Sequence, residues 1–260
     1  QPSFWDDDHV LFASTRDEQT DVIQFNVSEG STSSWLTYTT TGSEYSPLRV
    51  PGKRAISAIR LDVDGLQRLY EYDLKNSTSE PLSELKIGYH VWFDKEVLVA
   101  TVLVQNRMDL VVIDLEEDTH TTVFQNVGRS LHRISGSDLV SFISKKNSVW
   151  EIRSLDPATG NTQKIANTYG QEEDISWLDG HTIITGSGKR LLTLHTNAED
   201  ADWETVMAFG LEEINNISRI AISPNGKRLA FVAEESPAKI IQKQVEAFNS
   251  RNLDAFVSCY

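Results

Sequence analysis

The stretch IAISPNGKRLAFVA, residues 220–233, decides the fold. An apolar run meets a short polar turn containing Gly226, and a second apolar run begins at Leu229. That is a β-hairpin pattern. It recurs in SFWDDDHVLFAS (3–14), LRVPGKRAISAI (48–59), HVWFDKEVLVAT (90–101), HRISGSDLVSFI (132–143) and ISWLDGHTIITG (175–186). The residues before the six turns are Phe4, Val50, Trp92, Ile134, Trp177 and Ile222, at successive intervals of 46, 42, 42, 43 and 45. A repeat of about 43 residues is the length of one four-stranded propeller blade.

Between the hairpins lie candidate third strands: DVIQFNV (21–27), LQRLYEYDL (66–74), MDLVVIDL (108–115), SVWEIRSLD (148–156) and RLLTLHT (190–196). Three of them run into a polar turn through Asp73, Asp114 and Asp156. In DPATG (156–160), Pro157 pre-sets one turn dihedral and Gly160 supplies the permissive one. Weaker fourth strands follow, such as SWLTY (34–38) and HTTVF (120–124). Four short strands per unit, arranged around a ring, dispose of most exposed sheet edges. The sixth unit offers only two strands, 217–222 and 228–234, before Ser236-Pro237. The expectation is therefore an all-β, six-bladed β-propeller of four-stranded blades. Its last blade is incomplete in this chain, with the outer strands supplied from upstream of Gln1; a five-bladed ring with a leftover hairpin is the alternative.

ISPNGKRLAFVAEE (222–235) resembles the signature hairpin of TolB-like, WD-like β-propeller repeats, with Asn225 where that family usually has Asp. YEYDLKNSTSEPL (70–82) is similar to the family's third strand and following turn. The resemblance spans residues 1–235 and implies a propeller exported to the periplasm or surface of a Gram-negative bacterium. It leaves function open, because the fold serves many unrelated roles. From Ser236 the pattern changes. Ile241, Val245 and Phe248 fall at helical spacing, a polar break covers Asn249 to Asn252, and Leu253, Phe256, Val257 and Tyr260 follow. AFNSRNLDAF (247–256) resembles the first helices of a SnoaL-like, nuclear-transport-factor-2-like domain. That implies a second unit, 236–260, cut off before its sheet; a C-terminal amphipathic helix docked on the propeller is the alternative.

Bulk properties narrow the partners. A net charge of −14 gives no electrostatic footprint for DNA or RNA. The single cysteine, Cys259, excludes an internal disulfide and a Cys-based zinc site. No apolar run is long enough to insert in a membrane, and no N-terminal segment reads as a signal peptide.

Catalytic signatures are sparse: G-x-S-x-G and H-E-x-x-H do not occur. GSGKR (186–190) lacks the spacing of a phosphate loop and reads as a hairpin turn. The repeat itself offers a better candidate. His90 and His132 each lie two residues before their turn marker in adjacent units, so they should stand at equal height on neighbouring inner strands. Glu44, Tyr45, Glu172, Glu173, Asp174 and Arg219 begin other inner strands. Together these should crowd one mouth of the central channel, where imidazoles and carboxylates could hold a metal, or a sugar or peptide beside an acid/base pair. The bland reading is hydrogen bonding between blades. Trp92 and Trp177, at the marker position, read as packing between blades.

These observations favour a non-catalytic binding or scaffold propeller, monomeric at full length, that recognises a protein, peptide or glycan through His90, His132, Tyr45, Glu44, Glu173, Asp174 and Arg219. No cofactor is expected. The alternative is a propeller hydrolase or lyase with His90 and His132 as metal ligands or acid/base groups. A third reading gives the function to the C-terminal unit, with the propeller as its carrier.

Overall fold

The structure is a computed structural model describing residues 1–28, 32–210 and 213–258. Cys259, Tyr260 and the side chain of Phe256, all part of the sequence reading, lie outside the described residues.

Five four-stranded antiparallel meanders and one two-stranded sheet follow one another along the chain. The first blade is Ser3–Phe4, His9–Arg16, Gln19–Asn26 and Ser33–Trp35; the second is Gly42–Arg49, Ala55–Asp62, Gln67–Asp73 and Thr78–Ser83. The third is Ile87–Trp92, Val97–Val104, Arg107–Asp114 and Thr119–Gln125; the fourth is Val127–Arg133, Val140–Ser144, Glu151–Leu155 and Thr162–Asn167. The fifth is Ile175–Trp177, Thr182–Ser187, Arg190–His195 and Glu204–Ala208, and the sixth sheet is Asn215–Ile222 with Leu229–Glu234. The hairpin pattern thus translates directly into the first two strands of every unit.

Side-chain chemistry makes the turns. Asp6, Asp94 and Asp179 each accept backbone N–H bonds from two and three residues on, capping the first hairpin of alternate blades. Asp73 and Asp114 do the same between third and fourth strands, and Asp156 accepts there from Ala158 N and the Thr159 hydroxyl. In the sixth hairpin Asn225 takes the role, accepting from Lys227 N at 2.9 Å, so its amide oxygen replaces a carboxylate without loss of the turn.

The blades pack through apolar seams. Leu98, Ala100 and Val111 of the third blade meet Ile59 and Leu69 of the second, while Ile143 and Ile152 of the fourth meet Ile175 and Ile183 of the fifth. Each marker tryptophan crosses a seam: Trp92 Nε1 donates to Ser57 Oγ and Trp177 Nε1 to Ser141 Oγ, both at 2.8 Å. The indoles are buried and their one polar atom is satisfied, which is what a large amphipathic ring needs between two sheets.

The ring closes where the sixth sheet meets the first blade. The inner strand Asn215–Ile222 lies against Ser3–Phe4. Arg228 donates to Asp7 O at 2.7 Å, to Asp8 Oδ1 at 2.5 Å and to Ser28 Oγ at 3.0 Å, and Asn225 N donates to Asp7 Oδ1 at 2.9 Å. This seam is a polar clasp between two hairpin turns. Among the described residues, strand Leu229–Glu234 has no partner on its outer side.

Two helices follow: α1, Pro237–Asn249, and α2, Leu253–Val257. Ser236 caps α1 by accepting from Lys239 N, with Pro237 in the first turn. The helical stripe read from the sequence is not docked on the propeller: Ile241, Val245, Phe248 and Leu253 are all more than half exposed.

Candidate functional site

Inner strands are not regular where they approach the axis. Register slips occur between Tyr45 and Leu48, between Val127 and Leu131, and between Ser218 and Ile220. Ser46 (φ 51°) and Arg219 (φ 55°) sit at two of these bulges in the left-handed region. A bulge re-aims a side chain that a flat strand would leave in the pleat, at a cost of about 1 kcal/mol or more in backbone strain. At a third, Gly128 lies so close to the fifth blade that a Cβ there would stand 2.6 Å from Glu173 Oε2.

The axis holds a cavity of about 270 Å³, walled by all six sheets. His90 and His132 both line it, with Arg129, Arg133, Ser176 and Trp177. His90 is 6% exposed. Ser57 Oγ accepts from Trp92 Nε1 and shares a hydrogen bond of 2.8 Å with His90 Nε2, whose direction follows the ring tautomer. The Nδ1 of His90 has no partner among the described residues. Ser130 Oγ lies 3.1 Å from His132 Nε2, in a bond whose direction follows the ring tautomer, and also accepts from Ile175 N at 3.2 Å. Burial pushes His90 down to about 3; it also lowers His132, to about 4 despite the attraction of Asp174. Both rings are therefore neutral at physiological pH.

An ion network stands beside them. Asp174 accepts from Arg129 Nη2, and from Arg219 Nη1 at 2.9 Å, bridging the fourth, fifth and sixth inner strands. Burial would raise this carboxyl, but the two guanidiniums hold it below the ordinary carboxylate range. Glu173 turns away, accepting from Lys145 Nζ at 2.8 Å and from Arg129 N at 3.0 Å across the seam between blades four and five.

The candidate residues thus divide. His90 and His132 share the cavity. Tyr45 and Arg219 line a separate recess of about 280 Å³, beside Gly88 and Tyr89, and Asp174 links the two through its arginines. Glu173 belongs to a seam, and Glu172 sits in the turn that its N–H closes on Tyr169 O. Glu44 does not reach the channel. It is fully buried between blades one and two, accepting from Tyr72 Oη at 2.9 Å, and burial raises its pKa. The sequence reading placed the imidazoles and carboxylates together at one mouth. The bulges and the outward turn of Glu44 and Glu173 separate them.

Arg129 and Arg133 were missed. Arg129 is five residues before its marker, as Tyr45 is, so the repeat register contained the signal. Asp174 and Arg219 are each three before theirs, which makes their pairing across adjacent inner strands legible in retrospect.

Chemically, the site is a set of neutral imidazoles, hydroxyls and guanidiniums around a hollow of mixed polar and apolar wall. Among the described residues neither histidine has a carboxylate hydrogen bond, and the serines they touch are buried in the seams. Among the described residues no group of three His, Cys, Asp or Glu is placed to hold a metal ion.

No family model matches the sequence, and no curated protein does. Solved structures do. The putative TolB from Agrobacterium tumefaciens superposes with TM-score 0.66 at 11% identity, covering 91% of this chain and 89% of that one. TolB from Acinetobacter baumannii gives 0.59 at 15% identity, covering 78% of this chain and 55% of that one. A puromycin hydrolase S511A mutant complexed with PGG gives 0.62 at 15% identity, with 86% of this chain and 40% of that one. This chain therefore spans about half the length of the last two. The SnoaL-like resemblance of residues 236–260 finds no support in these comparisons. Likeness at such low identity, shared by TolB and a hydrolase, establishes the β-propeller fold.

Proposed function

We propose that this chain is a binding module that takes a protein or peptide segment into its axial cavity. The observation that carries the reading is the buried Nδ1 of His90, unpartnered among the described residues, in a wall otherwise made of hydroxyls, Arg129, Arg133 and apolar side chains. A buried polar nitrogen without a hydrogen-bond partner is costly, and a ligand group that bonds to it relieves that cost. Histidines held neutral, with pKa values near 3 and 4, suit hydrogen bonding to such a ligand better than proton transfer at neutral pH. The hydrolase or lyase alternative has, among the described residues, no carboxylate on either imidazole to support it.

The reading extends to a six-bladed ring, supported by six hairpins in a 43-residue register, and to residues 1–235 as one unit with 236–260 as another. Export to the periplasm or cell surface, and a monomeric full-length protein, belong to the same proposal and rest on the TolB-like resemblance. No described helix is long and apolar enough to cross a membrane.

The test is to pan a random peptide library against the whole chain and measure the selected peptides by calorimetry. Binding that falls at least about tenfold in both His90→Gln and His132→Ala supports the axial site. Selected peptides that bind both variants as well as wild type overturn it. Peptide or glycan turnover abolished by His132→Ala would favour the enzyme instead.

A further inference from the structure

A second cleft, of about 750 Å³, opens between the outer strands of blades one and two, away from the axis. That volume lies within the roughly 300–1,000 Å³ of small-ligand sites. Its wall is aromatic and prearranged. The Arg16 guanidinium is sandwiched between the rings of Trp35 and Tyr38, 4.6 and 4.7 Å from their centroids, and Trp5 lines the same cleft. Tyr38 is 66% exposed, which for a tyrosine in a loop ordinarily means a free rotor. Here the loop is pinned. Asp21, 2% exposed, accepts from Arg16 Nη2 at 2.9 Å, from Thr37 Oγ1 at 3.2 Å and from Thr39 N at 3.2 Å. Gln19 Nε2 donates to Thr39 O at 2.5 Å, and Leu36 N to Val22 O at 2.8 Å. A buried carboxylate thus holds a guanidinium against two rings that both line the cleft, a preorganisation that lowers the entropy lost on binding.

The polar groups complete the chemistry. The cleft's carboxylates are used internally: Asp6 caps its own turn and bonds His9, and Asp73 caps the turn through Lys75 and Asn76. What remains for a ligand is a row of hydroxyls at Thr40 and Thr41, the Gln24 amide, and Arg54, which has no ion-pair partner among the described residues. Flat ring faces beside hydroxyl, amide and guanidinium donors match the C–H faces and hydroxyls of a pyranose. A proline-rich peptide would use the rings but leave the hydroxyl row idle. We propose that this cleft binds an oligosaccharide, stacked on Tyr38 and Trp35 and hydrogen-bonded along Thr40–Thr41, independently of the axial cavity.

The experiment is a glycan array of defined neutral and uronate-bearing oligosaccharides probed with the whole chain, followed by calorimetry and tryptophan fluorescence on each hit. The expected result is binding that shifts tryptophan emission and weakens at least about tenfold in Tyr38→Ala. It should stay within about threefold in Tyr38→Phe, which keeps the ring, and in His132→Ala, which lies in the other site. Tyr38 is exposed, so Tyr38→Ala should melt with the wild type. Asp21→Asn is expected to weaken binding through the loop it positions. No oligosaccharide bound at up to about 10 mM, equal binding by Tyr38→Ala, or Tyr38-dependent binding of a polyproline peptide with no oligosaccharide bound, would each overturn the proposal.

Discussion

Gly186→Ala tests how closely the fifth and sixth sheets are packed. Gly186 lies on the second strand of the fifth blade, and a Cβ built there falls inside the van der Waals envelope of Ile217 Cγ2 and 2.9 Å from Ile217 Cβ. Its φ is not positive, so alanine fits the backbone and by itself would stabilise by about 0.4–1 kcal/mol through the unfolded chain. Opposing this, Ile217 is 3% exposed and walled by Leu191 and Ile220, so its methyl cannot retreat without moving the seam. Overpacking of this kind costs about 1–3 kcal/mol, and the net expectation is a loss of about 1–2 kcal/mol. For a domain of this size that lowers Tm by about 2–8 °C in a calorimetric scan. The partner variant Ile217→Ala should cost about 2–4 kcal/mol alone, and the double variant should lose at least about 0.5 kcal/mol less than the sum. A Gly186→Ala protein as stable as wild type, or strict additivity in the cycle, would refute the packing. Because Arg219 follows Ile217 by two residues, loosening this seam should also weaken the Arg219–Asp174 bridge at the axis.

Three further outcomes are expected. Since His90 and His132 have folded pKa values near 3 and 4 against about 6.5 unfolded, the unfolded state binds more protons between them. Stability is thus fully present above pH 6.5 and falls toward pH 4 by up to about 1.4 kcal/mol per pH unit for each ring, and His90→Gln should flatten that limb in urea melts. Asp174→Asn removes the one carboxylate that Arg219 reaches among the described residues and leaves Arg129 only Glu173, at 3.5 Å; both still reach water, so a loss of about 1–3 kcal/mol is expected, shrinking as salt is added. Trp177→Phe keeps the seam filled but removes the N–H that Ser141 Oγ accepts, leaving this fully buried hydroxyl its donation to His132 O at 3.3 Å, at a cost of about 1–2 kcal/mol by chemical denaturation; an unchanged midpoint would contradict the bond at 2.8 Å.

Much of the ring was legible before any coordinates, because a blade is a local object. Alternating apolar residues, an Asp or Asn that bonds its own turn, and a fixed 43-residue spacing are all written within a few dozen residues, so the hairpins and even the two-stranded sixth sheet follow from them. The same locality explains Asp73, Asp114 and Asp156, whose role needs only neighbours two and three residues away. Trp92 and Trp177 were readable as seam residues; the serines that receive them, Ser57 and Ser141, lie in the preceding blade, each seven residues after its own turn marker, so the register marks them as equivalent but does not tell which residue of the next blade they meet.

What the sequence determined by itself was the unit, its repetition and its turn chemistry, since each depends on residues close in the chain. Only the tertiary structure decided where side chains of equal register point. A bulge at Ser46 or Arg219 rotates a residue toward the axis, while burial beside Tyr72 takes Glu44 out of it. Residues more than 40 apart, such as Arg129 and Asp174, pair because six twisted sheets converge on one axis. That convergence is a property of the closed ring, and no single blade contains it.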